Sequence, residues 1–344
     1  MSNTMRAIVY DRPGRFELAE LPIPEPGRGE ALLRVLVAGV CGTDLHLHDG
    51  EFGPTYPLIP GHEIVGEVVR FGPGEPPVGI AVGTRVVLDN TVSCGECAEC
   101  VRQRPAFCRV IVAHGVNAPG GFAEFIVIRT GRLFPVDDLD LDVAVFAEPT
   151  ACVVHGLDVL ELRPGSNVLL FGAGPTGLLL TQLLASSGAG RLTVAAPTAA
   201  KLELARAGGA DSTVQIDRAN PEKATAELRA AAADGYDVVI DATGAPTVLG
   251  EAISLTRTGG TVFVYGMTPE AAVWRISPYE VFRRELTIKG SFAQQFSFDR
   301  SLLNLRQGRV DPTGYITHRF GLDEYARALV AVADSDCVKA VIVP

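Results

Sequence analysis

From about Thr150 the chain alternates short apolar runs with Ala- and Leu-rich stretches: NVLLFGAG, PTGLLLTQLLASSG, RLTVAA, AAKLELARAGGA, DVVIDATG, PTVLGEAISLT and GTVFVYG. Apolar strands of this length, each followed by a helical stretch, predict βαβ units and a parallel sheet covered on both faces. One junction carries more information than the rest. Gly172-Ala173-Gly174-Pro175-Thr176-Gly177 follows the run Val168 to Phe171 and opens the helix holding Leu178 to Leu184. In that setting Gly172 supplies the tight turn, Gly174 lets a pyrophosphate approach the backbone, and Gly177 lets helix and strand pack closely. The free N–H groups and dipole of the helix then face the anion. Gly172, Gly174, Pro175, Thr176 and Gly177 are therefore candidate dinucleotide-binding residues.

Before Thr150 the texture is different. RAIVY, ALLRVLVAGV, EIVGEVVRFG, TRVVLDN and FAEFIVIRT are short strands separated by Gly/Pro clusters, so this part is β-rich. After about Ser291 the remaining segment, with DRSLLNLRQG and KAVIVP, is too short for a core of its own and is expected to return to the first domain. A length of 344 residues fits two domains. Thirty Lys and Arg against forty Asp and Glu leave a net charge of −10, which repels a phosphate backbone and argues against nucleic acid as a partner. The longest apolar run, Val168 to Leu184, is broken by three glycines and a proline and reads as no membrane span. The N-terminal stretch lacks an uninterrupted apolar region, so a cytoplasmic address is expected.

Four of the seven cysteines, Cys94, Cys97, Cys100 and Cys108, fall within fifteen residues of a polar, turn-rich stretch. Four thiolates at this spacing suit a closed tetrahedral zinc site, and a site with no open position is structural. A second set is scattered: Cys41 ends an apolar strand, His62 and Glu63 follow a Pro-Gly turn, and Glu148 lies far along the chain. Three protein ligands with one open position would make a catalytic zinc. On the residues alone, Cys41 reads equally as a small buried apolar group and His62 as a hydrogen-bonded turn residue.

Taken in order, GVCGTDLHLHDG, PLIPGHEIVGEV, the four-cysteine stretch, AEPTACVVHG and VLLFGAGPTGLLLTQLL resemble the zinc-dependent medium-chain dehydrogenases across essentially the whole chain. The Glu in AEPTACVVHG and the Thr-Asp-Leu-His after Cys41 are similar to the polyol and threonine dehydrogenase branch. The resemblance implies an α/β enzyme. Residues 1–149 and 291–344 would form a GroES-like β-rich catalytic domain with a zinc lobe at 94–108, and residues 150–290 a Rossmann doubly wound parallel sheet. It implies one catalytic and one structural zinc, with Cys41, His62 and either Glu63 or Glu148 holding the former. Thr43 would accept the substrate's proton and His46, whose imidazole can both take and give a proton, would pass it to solvent. Thr43 read alone could also cap a helix starting near Asp44. By the same resemblance Thr243, Gly244, Gly266, Met267, Ser291 and Phe292 flank the nicotinamide.

The strand RLTVAA ends at Ala196, where an acidic residue would bond the ribose hydroxyls of NAD. No acid stands there, while Thr198 and Lys201 could receive a 2′-phosphate, so NADP is expected over NAD. The alternative for Lys201 is a solvated helix residue. The expected substrate is a polyol oxidised at a secondary carbon, with Glu148 and Thr43 able to bond neighbouring hydroxyls, in a pattern most similar to NADP-dependent D-arabinitol dehydrogenases. L-threonine and sugar-phosphate alcohols with NAD are the rivals, and Arg283 and Arg284 could read a phosphate. Two readings from other classes are a zinc-free enoyl or quinone reductase and a non-catalytic dinucleotide-binding scaffold. A homodimer or homotetramer is expected, with no membrane partner.

Overall fold

A computed structural model describes residues 3–344, which divide into two units. One takes in the chain up to Ala151 together with Gln295–Arg306 and Pro312–Pro344; the other holds Cys152–Gln294 and Gln307–Asp311.

The first unit is organised by the strand Glu30–Val40, in which Arg34 is the single basic residue and Leu33, Val35, Val37 and Ala38 are buried. Its sheet runs Ile316–Phe320, Lys339–Ile342, Glu30–Val40, Glu63–Phe71, Arg85–Leu88 and Leu133–Pro135, with Phe125–Arg129 also paired to Glu30–Val40. Ile64, Val68, Ile126, Ile128 and Tyr325 pack into the same core. Register matters most at one end. Gly39 lies opposite Glu63 in one neighbour, and Val40 opposite Ala340 in the other. Three strands separated widely in sequence thus meet just before Cys41. The cysteine stretch 94–108 has only one turn of helix, Ala98–Val101, and one 3-10 turn, Pro105–Phe107.

The second unit is the doubly wound sheet. Its strands are β1 (Ser166–Phe171), β2 (Ala189–Ala196), β3 (Ser212–Gln215), β4 (Tyr236–Asp241), β5 (Thr256–Val264) and β6 (Thr287–Gly290), all parallel in the order β3-β2-β1-β4-β5-β6. Val168, Leu169 and Leu170 of β1 are fully buried, as a central strand covered on both faces requires. The connection turns outward between β1 and β4, the point where an open α/β sheet takes its ligand.

The helical stretch Leu141–Leu160, and not the run at Val168, has the length and mean hydropathy, 1.5, of a membrane span. It carries Glu148, and 61% of it is buried inside the protein, so packing accounts for its apolar character.

Candidate active site

Cys41 closes the strand Glu30–Val40 and caps the helix Gly42–His48. Its Sγ accepts from the Thr43 N–H at 3.3 Å, while the Asp44 carboxylate accepts from the Cys41 N–H at 2.9 Å. Cys41, not Thr43, is thus the cap, and the reciprocal pair holds both groups still. His62 follows Gly61, whose φ of +92° places it in the left-handed region and whose missing side chain leaves room for Phe122. The turn brings His62 Nε2 to 3.2 Å from Cys41 Sγ, with its Nδ1 3.7 Å from Asp44. At that separation Asp44 acts on the ring through charge, beyond hydrogen-bond reach.

Glu63 completes a cluster in which sulfur, nitrogen and oxygen donors lie within 4.8 Å of one another. Its carboxylate also pairs with Lys339, at the start of the closing strand, and both side chains are essentially inaccessible. The pair crosses the backbone of Gly39, where a Cβ would stand 1.8 Å from Glu63 Oε2; glycine is required there by space rather than by φ. Burial pulls the Lys339 ammonium down, but Glu63 and Cys41 outweigh it and hold the pKa above the ordinary value. Burial likewise pulls His62 down and is outweighed by Cys41, Asp44 and Glu148, so it stands well above the usual imidazole range. Glu148, in the helix Ala147–Leu160, therefore acts on His62 through charge but is not among the three clustered donors.

A surplus of negative groups that draws a proton onto a buried imidazole also favours a cation, and thiolate, imidazole and carboxylate are zinc donors. The residues fit the metal. Of the expected relay, Thr43 is in the first turn of the same helix and His46 lies one turn on, with Nδ1 2.5 Å from Glu51 Oε2.

The four lobe cysteines also converge. Cys94 and Cys108, and Cys97 and Cys100, are each 3.5 Å apart at sulfur, and Cys94 and Cys100 3.9 Å. Zinc with bonds of about 2.3 Å would set tetrahedral sulfurs about 3.8 Å apart, so this set also fits. A backbone N–H from Arg109 and the contact with Cys100 lower the Cys97 pKa to about 6, while burial raises Cys100 to about 11.

In the second unit the Gly-rich turn has the geometry its spacing predicts. Gly172 has φ +108°, Gly174 caps the helix Pro175–Ser186 with open space where a Cβ would point, and a Cβ on Gly177 would stand 2.2 Å from Gly172 O. Pro175 and Thr176 form the first turn of that helix. Ala196 ends β2 buried beside Gln215, and Thr198 caps the next helix with its backbone only, its side chain accepting no capping bond. Lys201 lies in that helix's first turn. The strand-end turns after β4 and β5 touch backbone to backbone: a Cβ on Gly244 would meet Met267 O at 1.9 Å, and one on Gly266 would meet Gly244 N at 2.3 Å. Ser291 bonds Val264 O at 3.2 Å, and Phe292 beside it is half exposed. Arg284, expected as a possible phosphate reader, is engaged with Ile253 O, Thr256 O and Glu280 instead. It completes the end of the helix Pro246–Leu255.

Three residues escaped the sequence reading. Asp44 and Lys339 support His62 and Glu63, and Asp241 holds the turn after β4 through Thr243 N and Oγ1 at 2.8 and 2.6 Å. Lys339 carried a signal, being a lone charge at the start of an otherwise apolar strand, and Asp241 ends the apolar run Val238–Ile240.

A doubly wound dinucleotide sheet, a β-rich unit and two zinc-compatible donor sets define a metal-dependent dehydrogenase. The Alcohol dehydrogenase GroES-like domain family model matches residues 27–138, and the Zinc-binding dehydrogenase model matches 175–305. The chain belongs to the zinc-dependent medium-chain dehydrogenases, in their alcohol and polyol branch. D-arabinitol dehydrogenase 1 of Uromyces fabae is 40% identical over 99% of this chain and 97% of its own. D-altritol 5-dehydrogenase of Agrobacterium fabrum is 34% identical over 93% and 94%. A zinc-binding dehydrogenase from Sinorhizobium meliloti, solved bound to NADP, superposes with a TM-score of 0.92 at 33% identity, each chain fully covered.

Proposed function

We propose that this enzyme oxidises a polyol at a secondary carbon, D-arabinitol being the first candidate, with NADP+ as hydride acceptor. The observation that carries the cofactor half is the acid-free end of β2: Ala196 is apolar, and Thr198 has a side chain not spent on capping. Lys201 in the next turn adds a positive charge. The substrate half rests on the full-length likeness to a D-arabinitol dehydrogenase.

Cys41, His62 and Glu63 hold the catalytic zinc in this reading, with Glu148 as the polar group that can exchange with Glu63, and the four lobe cysteines hold a structural one. The catalytic ion supplies a Lewis acid that eases loss of the substrate's hydroxyl proton. The protein does the rest. Asp44 acts on the His62 ring through charge, Thr43 takes the hydroxyl proton while giving its own to His46, and His46 releases it to water. The carbinol hydrogen leaves as hydride, so ketone, NADPH and one proton are the products. A homo-oligomer is part of the reading: β6 is a sheet edge with exposed Ile288, close in sequence to exposed Tyr279 and Phe282.

Initial rates on zinc-replete protein, with D-arabinitol, L-threonine and a sugar phosphate against each cofactor, test the proposal. Selective turnover of D-arabinitol with NADP+ supports it. Preference for NAD+ removes the cofactor half, and turnover of threonine or the sugar phosphate alone removes the substrate half.

A further inference from the structure

The helix Gly42–His48 ends with two imidazoles that are anchored differently. His48 Nδ1 is 2.9 Å from the phenol of Tyr10, a neutral group buried against Tyr325. His46 Nδ1 is 2.5 Å from the Glu51 carboxylate. The chain is shaped to make the second contact. After the helix Gly50 takes φ +86°, with Pro13 where a side chain would stand, and Phe52 and Gly53 also have positive φ. This tight turn folds Glu51 back onto the helix, where its N–H donates to His46 O at 2.8 Å. Glu51 is therefore tied to His46 twice, by backbone and by side chain. Both side chains are about three-quarters or more shielded from water, at 19% and 26% exposure, which separates the contact from an ordinary surface pair.

We propose that Glu51 is a positioning residue for the proton relay: its carboxylate keeps the His46 proton on Nδ1 and so leaves Nε2 as the basic nitrogen that receives the proton from Thr43. The inference rests on the reading of His46 as the relay. An acceptor-only group at one ring nitrogen selects the tautomer with hydrogen on that nitrogen. When Nε2 takes the proton from the Thr43 hydroxyl, the ring becomes a cation whose charge Glu51 opposes. When Nε2 gives that proton to water, the starting tautomer returns with Nδ1–H still on Glu51. No group is consumed, as in other carboxylate–imidazole dyads.

The test uses full-length, zinc-loaded protein labelled with 15N at histidine, the His46 ring signals being assigned by their loss in His46→Gln. Wild type is expected to show His46 with hydrogen on Nδ1. Glu51→Ala should move the ring toward the Nε2–H tautomer and lower kcat about tenfold with KM for polyol and cofactor within about twofold, while zinc content and Tm stay at wild-type values. Glu51→Gln keeps an acceptor without charge and should keep the tautomer but lose about threefold in kcat. Glu51→Asp should recover part of the loss, and Glu51→Ala should add nothing to His46→Gln. An unchanged 15N signature in Glu51→Ala, or wild-type kcat in Glu51→Ala when His46→Gln is slow, overturns the role of Glu51 and leaves the relay standing. Wild-type kcat in His46→Gln removes the relay itself and the proposal with it.

Discussion

The two donor sets of the first unit are built in opposite ways. The lobe gathers four like atoms from fifteen consecutive residues, with backbone N–H groups of Cys94 and Cys97 donating to sulfurs of the same loop. The mixed cluster gathers three unlike atoms from two strand ends and depends on a lysine from a third strand. The lobe has almost no apolar core, so its order depends on what its sulfurs bind. The mixed cluster is embedded in a sheet that is ordered by packing alone, which leaves its donors free to be chosen for chemistry. A local set can be lost without touching the sheet, whereas the non-local set exists only because strand pairing brings its residues together.

Four changes would break or sharpen that contrast. The largest effect is expected from Cys41→Ala, which should lower polyol oxidation by about a thousandfold or more, roughly 4 kcal/mol, while removing one of two zinc ions per chain. Metal analysis with a thermal melt checks it: loss of both ions would show that the two sets are not independent. Next is Lys339→Met, which strands the Glu63 carboxylate inside the protein and should cost about 3–5 kcal/mol, a fall in Tm of roughly 10 °C. Adding Glu63→Gln should restore much of it, and a wild-type melting curve for the single variant would refute the coupling.

Smaller, at about 2 kcal/mol, is Cys97→Ala, which should release the lobe zinc and open residues 94–108 to proteolysis while the mixed cluster keeps its metal. Cleavage elsewhere at the same rate would count against a separable lobe. The smallest is Ala196→Asp, a control outside both sets. Placing an acid where a 2′-phosphate would lie should raise KM for NADP+ about tenfold, roughly 1.4 kcal/mol, and lower KM for NAD+, with both zinc ions retained. Equal KM shifts for the two cofactors would show that this strand end does not read the phosphate.

The same contrast explains what could be read from the chain. The alternation after Thr150 predicts the parallel sheet because each βαβ unit is a local pattern, and the Gly172 turn because its glycines are adjacent. The lobe is legible for the same reason. Cys41 and His62 could be singled out only as residues at element ends; that they lie 3.2 Å apart is a consequence of strand pairing, not of spacing. Lys339 was invisible as a partner of Glu63 because nothing local in KAVIVP points to a residue two strands away in the sheet. Asp44 reads as an ordinary first-turn acid, and its burial 3.7 Å from His62 is a tertiary fact that spacing does not show.

The Glu63–Lys339 pair also has a history in time. The lysine leaves the ribosome roughly 280 residues after the glutamate, about 15–55 s later at roughly 5–20 residues per second. Within that interval the whole cofactor unit is made, while the carboxylate stands without its lysine. The pair at Gly39 can therefore close only after the strand Lys339–Ile342 has been made and has joined the sheet beside Glu30–Val40.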